Sequence, residues 1–313
     1  MNIALLGTGL LGTAIGQRLL ARGHRLTVWN RSPERCSPLL AAGANPSATP
    51  AAAGAAADWL LTVLSDGPTT AAVLQEQVGE ALAGRTVIQM GTMAPDESCA
   101  LAETVNQLGG HYLEAPVLGS KPEALTGTLQ VMVGGPEPLC SQALPLLQEL
   151  GDAPVRLGEV GAAMATKLAL NQLIASLTHG FSLSLHLVQR SGVAVEPFMA
   201  LLRDSALYAP TFDKKLEREL QANYGNPNFP TAHLRKDLRL FLGAAQAAGL
   251  ESCGLEGLAQ LLDQATAAGL DGLDYCALHA LTAGPATAAG PDEKPHSPGA
   301  TTAPPGPVDQ APA

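Results

Sequence analysis

Apolar residues along the chain follow two different rhythms. From residue 1 to about 151 they come in short runs at 3–6, 25–29, 59–64, 86–89, 112–114 and 129–133. Short apolar runs bounded by turn residues read as buried strands, and strands alternating with helical stretches read as βαβ units around a largely parallel sheet. Between them, residues 14–21 and 70–83 are rich in helix formers, and Gly23, Gly43, Gly84 and Gly109 fall where helices would stop. Right-handed crossovers then predict a doubly wound layer structure.

After residue 158 the strand signal vanishes. Up to about 283 the chain carries Ala, Leu and Gln at helical spacing, punctuated by Pro197, Pro210, Pro227 and Pro230. This pattern predicts three segments: an α/β domain over 1–158, an all-helical domain over 159–283, and a Pro/Ala/Gly-rich tail over 284–313. The tail holds eight of the 24 prolines. Such a composition buries too little surface to offset ordering entropy, so it is expected to be disordered, either a plain extension or a docking segment.

Composition narrows the classes. With 313 residues and 46% hydrophobic content, the chain is long enough for two domains with real cores. A formal charge of -10 from 18 basic and 28 acidic residues argues against a nucleic-acid surface, which needs clustered cations. The five cysteines stand far apart with no CxxC pair, so neither a disulfide framework nor a zinc knuckle is suggested. The apolar stretch at 160–188 contains Lys167, Asn171, His179 and His186, which would be expensive in hydrocarbon, so it reads as a buried soluble helix rather than a membrane span. The first residues lack a basic flank and read as a strand rather than a signal peptide, which makes the cytoplasm the expected compartment. No histidine or carboxylate pattern has metal-ligand spacing, and no metal is expected.

The first run leads directly into Gly7-Thr8-Gly9-Leu10-Leu11-Gly12. In a strand–turn–helix unit the three glycines do separate work: Gly7 allows the tight turn, Gly9 lets backbone approach a pyrophosphate, and Gly12 lets the helix pack against the sheet. The helix N-terminus offers free N–H groups and the positive end of its dipole to the phosphates. After the second run, where an acid would accept the ribose hydroxyls of NAD, the chain has Asn30-Arg31-Ser32. A guanidinium and a hydroxyl there suit a 2′-phosphate, which predicts NADP(H) over NAD(H). Arg31 also reads as a solvated loop residue, and Glu34 complicates the local charge.

These residues resemble the β-hydroxyacid dehydrogenases, which include 3-hydroxyisobutyrate dehydrogenases and glyoxylate/succinic semialdehyde reductases. The likeness runs from residue 1 to about 280. It rests on the glycine motif, on Glu114-Ala115-Pro116-Val117-Leu118-Gly119-Ser120-Lys121, on Gly161-Ala162-Ala163-Met164-Ala165-Thr166-Lys167 with Asn171, and on Phe229 with Lys236-Asp237-Leu238. The Gly-Ser-Lys ending of the second segment is most like the glyoxylate/succinic semialdehyde reductase branch. The resemblance implies a Rossmann domain joined by a long helix to an all-α domain, as in 6-phosphogluconate dehydrogenase, with the active site in the cleft between them. Leu118, and Ala163 in place of a glycine, depart from the usual pattern and suggest a reshaped pocket.

Lys167 and Asn171 are four residues apart and share one helix face. On helix pattern alone they could be a snorkelling lysine and a satisfied core amide. The resemblance makes Lys167 the acid-base catalyst and Asn171 its holder or a substrate ligand. By the same resemblance Gly119 and Ser120 bind the substrate carboxylate, with Lys121 either assisting or solvated. Leu64, Ser65 and Thr92 follow strands, at ends where a doubly wound sheet holds its ligand, and are expected to wall the cofactor. Phe229 and Lys236 belong near the nicotinamide by resemblance, while periodicity alone makes Lys236 a surface charge. The expected activity is NADPH-dependent reduction of a small aldehyde acid. The alternatives are an NAD(P)-dependent 3-hydroxyisobutyrate-type dehydrogenase, an imine reductase-like enzyme (against which Lys167 argues), or a non-catalytic NADP(H)-binding module. A homo-oligomer, dimer or tetramer, is expected.

Overall fold

A computed structural model describes residues 1–284. The expected tail lies outside the described residues. The six predicted runs are all strands. In chain order the first half reads β1 (Asn2–Leu6), α1 (Leu10–Ala21), β2 (Arg25–Trp29), α2 (Ser37–Ala41), β3 (Asn45–Pro46), α3 (Pro50–Ala55), β4 (Trp59–Thr62) and α4 (Gly67–Ala71). It continues with β5 (Thr86–Gln89), α5 (Pro95–Gln107), β6 (His111–Glu114), β7 (Val117–Leu118), α6 (Lys121–Thr126), β8 (Gln130–Gly134), α7 (Glu137–Leu147) and β9 (Val155–Gly158).

The strands form one sheet in the order β3-β2-β1-β4-β5-β6-β8-β7, with β9 beside β8. The pairs from β3 to β6 are parallel, whereas β8 runs antiparallel to both β6 and β7. The order reverses direction at β1, so the glycine turn after β1 opens at the switch point of a doubly wound sheet, where ligands of such sheets bind. Ile3 and Leu5 point into the core on one face of the sheet and Ala4 and Leu6 into that on the other. Burial on both faces explains why this strand is a continuous apolar run rather than an alternating one.

Gly23, Gly43, Gly84 and Gly109 adopt φ of +84°, +100°, +70° and +77°, just past helical segments, as their positions predicted. The expected helix over 70–83 is broken instead. α4 gives way to a wide π-type turn over Ala72–Val78 and a 3₁₀ turn over Gly79–Leu82, because the chain turns left-handed at Gly79, φ +53°.

The second half is helical: α8 (Ala162–Arg190), α9 (Val195–Arg203), α10 (Pro210–Leu220), α11 (Thr231–Ala247), α12 (Cys253–Ala267) and α13 (Leu278–Thr282). Residues Met1–Ala283 pack as one compact unit. The 29-residue α8 joins the two parts: Met164 is buried in the sheet's core, while Ala175 packs with Leu234 and Leu238 of α11 and Leu262 of α12. The cysteines are all free thiols. Among the described residues no helix is long and apolar enough to cross a membrane.

Candidate active site

The first turn of α8 is held by an acid from the sheet. Gly161 turns the chain with φ +101°, and the amides of Gly161, Ala163 and Met164 all donate to Glu114 Oε1, at 2.9, 2.8 and 3.1 Å. The other oxygen accepts from Ser98 at 2.6 Å. Glu114 is fully buried, and the missing side chain of Gly134 makes room for it: a Cβ there would stand 2.5 Å from Oε1. Helix N-termini leave amides without intrahelical partners, and here one carboxyl group satisfies three of them.

One turn further along, Lys167 and Asn171 lie on the face of α8 that meets α11. Lys167 Nζ donates to Asn171 Oδ1 at 2.9 Å, and Asn171 Nδ2 donates to Asp237 Oδ2 of α11 at 2.5 Å. A cation on one side and a carboxylate on the other fix which way the amide points. Lys236 Nζ stands 2.9 Å from Asp237 Oδ1, at an angle poor for a hydrogen bond, and donates to the Thr92 carbonyl at 2.7 Å. The chain therefore runs from a strand-end loop of the sheet, through α11, to the lysine of α8. Burial lowers the Lys167 ammonium to about 8, with Asp237 opposing the fall and Lys236 adding to it. A lysine of that acidity, held by an amide, can give and take a proton near neutral pH.

The glycine turn passes a separate test. A Cβ on Gly7 would strike the Val63 carbonyl and one on Gly12 the Gly7 carbonyl, so the chain's own packing demands both glycines. A Cβ on Gly9 would meet nothing within 4 Å. Gly9 is thus open space at the start of α1, whose first turn has neither a side-chain cap nor an acid. Those are the conditions under which a dinucleotide phosphate can approach backbone N–H groups. Leu10 is exposed beside the turn, and Leu11 packs inward against the core. Leu64 is half-buried and Ser65 exposed after β4, with the Ser65 hydroxyl donating to Asp66. Arg31 is exposed and, among the described residues, has no hydrogen-bond or ion-pair partner. The residues fit a nicotinamide dinucleotide.

Residues 2–161 match the family model described as the NAD binding domain of 6-phosphogluconate dehydrogenase, and residues 161–282 the one described as NAD-binding of NADP-dependent 3-hydroxyisobutyrate dehydrogenase. The chain belongs to the β-hydroxyacid dehydrogenases of the 3-hydroxyisobutyrate dehydrogenase type. It is an NAD(P)-dependent oxidoreductase. Glyoxylate/succinic semialdehyde reductase 1 of Arabidopsis thaliana is 29% identical over 281 residues, which is 89% of this chain and 97% of that protein. Human cytokine-like nuclear factor N-PAC is 30% identical over 79% of this chain and 45% of its own length. Among solved structures, Mycobacterium tuberculosis 3-hydroxyisobutyrate dehydrogenase with L-serine superposes with a TM-score of 0.80 at 23% identity, covering 89% of this chain and 97% of that one.

Of the residues that the sequence nominated, the dehydrogenase fold brings Lys167, Asn171, Lys236 and Thr92 into one chain of contacts. Phe229 is tied to other partners, with ring centroids 6.1 Å from His233 and 6.0 Å from Tyr275. Gly119 is exposed with φ +126°, Ser120 is half-buried, and Lys121 is exposed. The Asn30 side chain is anchored within the protein: Oδ1 accepts from the Thr8 amide at 3.1 Å and Nδ2 donates to the Ser32 carbonyl at 3.0 Å. It staples the glycine turn to the end of β2, beside the exposed Arg31. Two residues that had no assigned role, Asp237 and Glu114, make contacts that hold α8. Asp237 lies on the same face of α11 as Leu234 and Leu238, so an acid where the helical period calls for an apolar residue was the available signal. Glu114 gave no such signal, because its partners on α8 and in the turn before it are 47 to 50 residues away.

Proposed function

We propose that the protein uses NADPH to reduce a small aldehyde acid, glyoxylate or succinic semialdehyde, to the hydroxy acid, with Lys167 as proton donor. The observation that carries this reading is the buried Lys167–Asn171–Asp237 chain, with the lysine lowered to about 8. A nicotinamide cofactor supplies the hydride when bound. Lys167 Nζ holds the proton that the carbonyl oxygen must receive, and at pH 7 most of it is in that form. Asn171 accepts one ammonium hydrogen and so aims the others. Asp237 fixes the amide and, through its charge, keeps the lysine from losing its proton altogether in an apolar setting. Ser120 offers a hydroxyl and an amide to the substrate carboxylate, and the unpartnered Arg31 favours NADP(H) over NAD(H).

The reductase relative at 29% identity supports the substrate class. A homo-oligomer is part of the proposal, since Leu173, Leu177, Leu183 and Leu187 leave an apolar stripe exposed on α8. The test is NADPH and NADH consumption against glyoxylate, succinic semialdehyde, tartronate semialdehyde and a cyclic imine, with wild type and Lys167→Ala. The proposal expects turnover of the aldehyde acids with NADPH, lost by a factor on the order of 10² to 10⁴ in the variant while NADPH binding persists. Retained turnover in the variant, or turnover of the imine alone, would overturn it.

A further inference from the structure

The segment proposed to bind the substrate carboxylate already contains a carboxylate. Ser120-Lys121-Pro122-Glu123 is the S-x-x-E pattern that starts many helices, in which the acid reaches back to the N–H of the residue before the helix. Here it takes more than that. The Ser120 amide and the Ser120 hydroxyl both donate to the same atom, Glu123 Oε2, at 2.8 and 2.7 Å. These are the two donors that Ser120 has to offer an anion. The other oxygen of the pair, Glu123 Oε1, stands 3.9 Å from Lys214 Nζ of α10, a cation that is 61% exposed. Against the opposing effect of burial, the hydrogen bonds from Ser120 hold the Glu123 carboxyl below the usual carboxylate range, so it is an anion at neutral pH.

We infer that Glu123 sets substrate specificity by acting as an internal occupant of the Ser120 anion site, which a substrate carboxylate must displace. This inference rests on the proposed role of Ser120. Two carboxylates cannot share one pair of donors at hydrogen-bonding distance without like-charge repulsion. A substrate bearing an anion at that position must therefore exchange with Glu123, whereas one bearing a hydroxyl can bind beside it, since a hydroxyl can donate to the acid. The site thus discriminates among carbonyl compounds by the charge of the group next to the carbonyl.

The pair glyoxylate and glycolaldehyde reads this directly, because the two differ in a carboxylate against a hydroxymethyl group. In Glu123→Gln the side-chain oxygen still accepts from Ser120 but no longer carries charge. Its KM for glyoxylate should fall about tenfold relative to its KM for glycolaldehyde, roughly the factor that one hydrogen bond to a charged group is worth. Oxamate, an unreactive analogue of glyoxylate, tests the exchange without turnover: calorimetric titration of the NADP-bound protein should show Glu123→Gln binding it about tenfold tighter than wild type. Equal KM shifts for the two aldehydes, or unchanged oxamate affinity, overturn the inference. Ser120→Ala separates this from the underlying reading. If it leaves both the glyoxylate KM and oxamate affinity unchanged, Ser120 is not the anion site and both fall; if it weakens both while Glu123→Gln changes neither, only the inference falls.

Discussion

Asp237→Asn isolates the electrostatic part of the lysine chain, because the amide keeps an oxygen to accept from Asn171 and removes only the charge. Lys167 and Asp237 face each other across the Asn171 amide, through hydrogen bonds of 2.9 and 2.5 Å. That places the charges about 6 to 7 Å apart, and at an effective dielectric constant of about 20 their attraction is roughly 2.5 kcal/mol, just under two pKa units. Lys167 starts at about 8, and Asp237 is the group that holds it up against burial and Lys236. Without that charge, and with Lys236 no longer neutralised, the lysine should titrate near about 6. Reduction needs the protonated form, so kcat/KM should fall with rising pH above about 8 in wild type and above about 6 in the variant. At pH 7 this makes the variant roughly tenfold slower in reduction, with recovery below about pH 6. In the oxidative direction, which needs the free amine, the variant should lose nothing at pH 7. The assay is a pH series of kcat/KM in both directions. An alkaline limb that stays at the same pH in both proteins, or a loss uniform across pH and direction, would refute the electrostatic reasoning and leave Asp237 a packing residue.

Three further outcomes follow from the same geometry. Lys167 has a lower affinity for protons when folded, about 8 against 10.5 for the ordinary side chain, so the folded state carries the full penalty below pH 8 and sheds it as pH rises to 10.5. Urea unfolding should therefore show the stability of wild type rising relative to Lys167→Met by about 3 kcal/mol over that window, and a difference independent of pH would contradict it. Gly9→Ala should unfold at the wild-type temperature yet bind NADP(H) weakly, because its Cβ meets no protein atom, whereas Gly12→Ala should lose stability outright from its collision with Gly7; equal effects on melting would remove the assignment of Gly9 to the ligand. Glu114→Ala leaves three helix amides and the Ser98 hydroxyl without their acceptor in the core, and thermal denaturation should show a loss on the order of 3 to 5 kcal/mol, much reduced in Glu114→Gln, which keeps an oxygen at that place.

Which parts were legible in the sequence depends on the range of the interactions involved. Strand runs, helix-stopping glycines and the glycine turn are local: each is set by neighbours within a few residues, and all appear where the pattern put them. Three strands were not read: β3 and β7 are each two residues long, too short for any period to register, and β9 is largely exposed and carries no apolar run. The break at Gly79 escaped because a window rich in helix formers cannot show that one glycine turns left-handed. In the site, Lys167 and Asn171 share one helix and could be paired from their spacing. The Asn30 staple to Thr8 was not legible, because it spans 22 residues and a side chain at a strand end reads the same whether it faces a ligand or a loop.

The contacts that escaped the sequence are also the ones that position Lys167. α8 is gripped by two buried carboxyl groups from different parts of the fold, Glu114 at its first turn and Asp237 one turn beyond Lys167. The first fixes where the helix begins along the sheet; the second fixes the rotamer of the amide that holds the lysine. A lysine side chain has four rotatable bonds and loses much freedom when ordered, so a single hydrogen bond would hold it poorly. Here Asn171 is immobilised before the lysine meets it, and Lys236 ties Asp237 to the Thr92 loop of the sheet. The position of the Lys167 ammonium is therefore set by the packing of the sheet and two helices. That order of assembly is what a preorganised acid requires, and it explains why an acid stands on the apolar face of α11 where the helical period asks for a leucine.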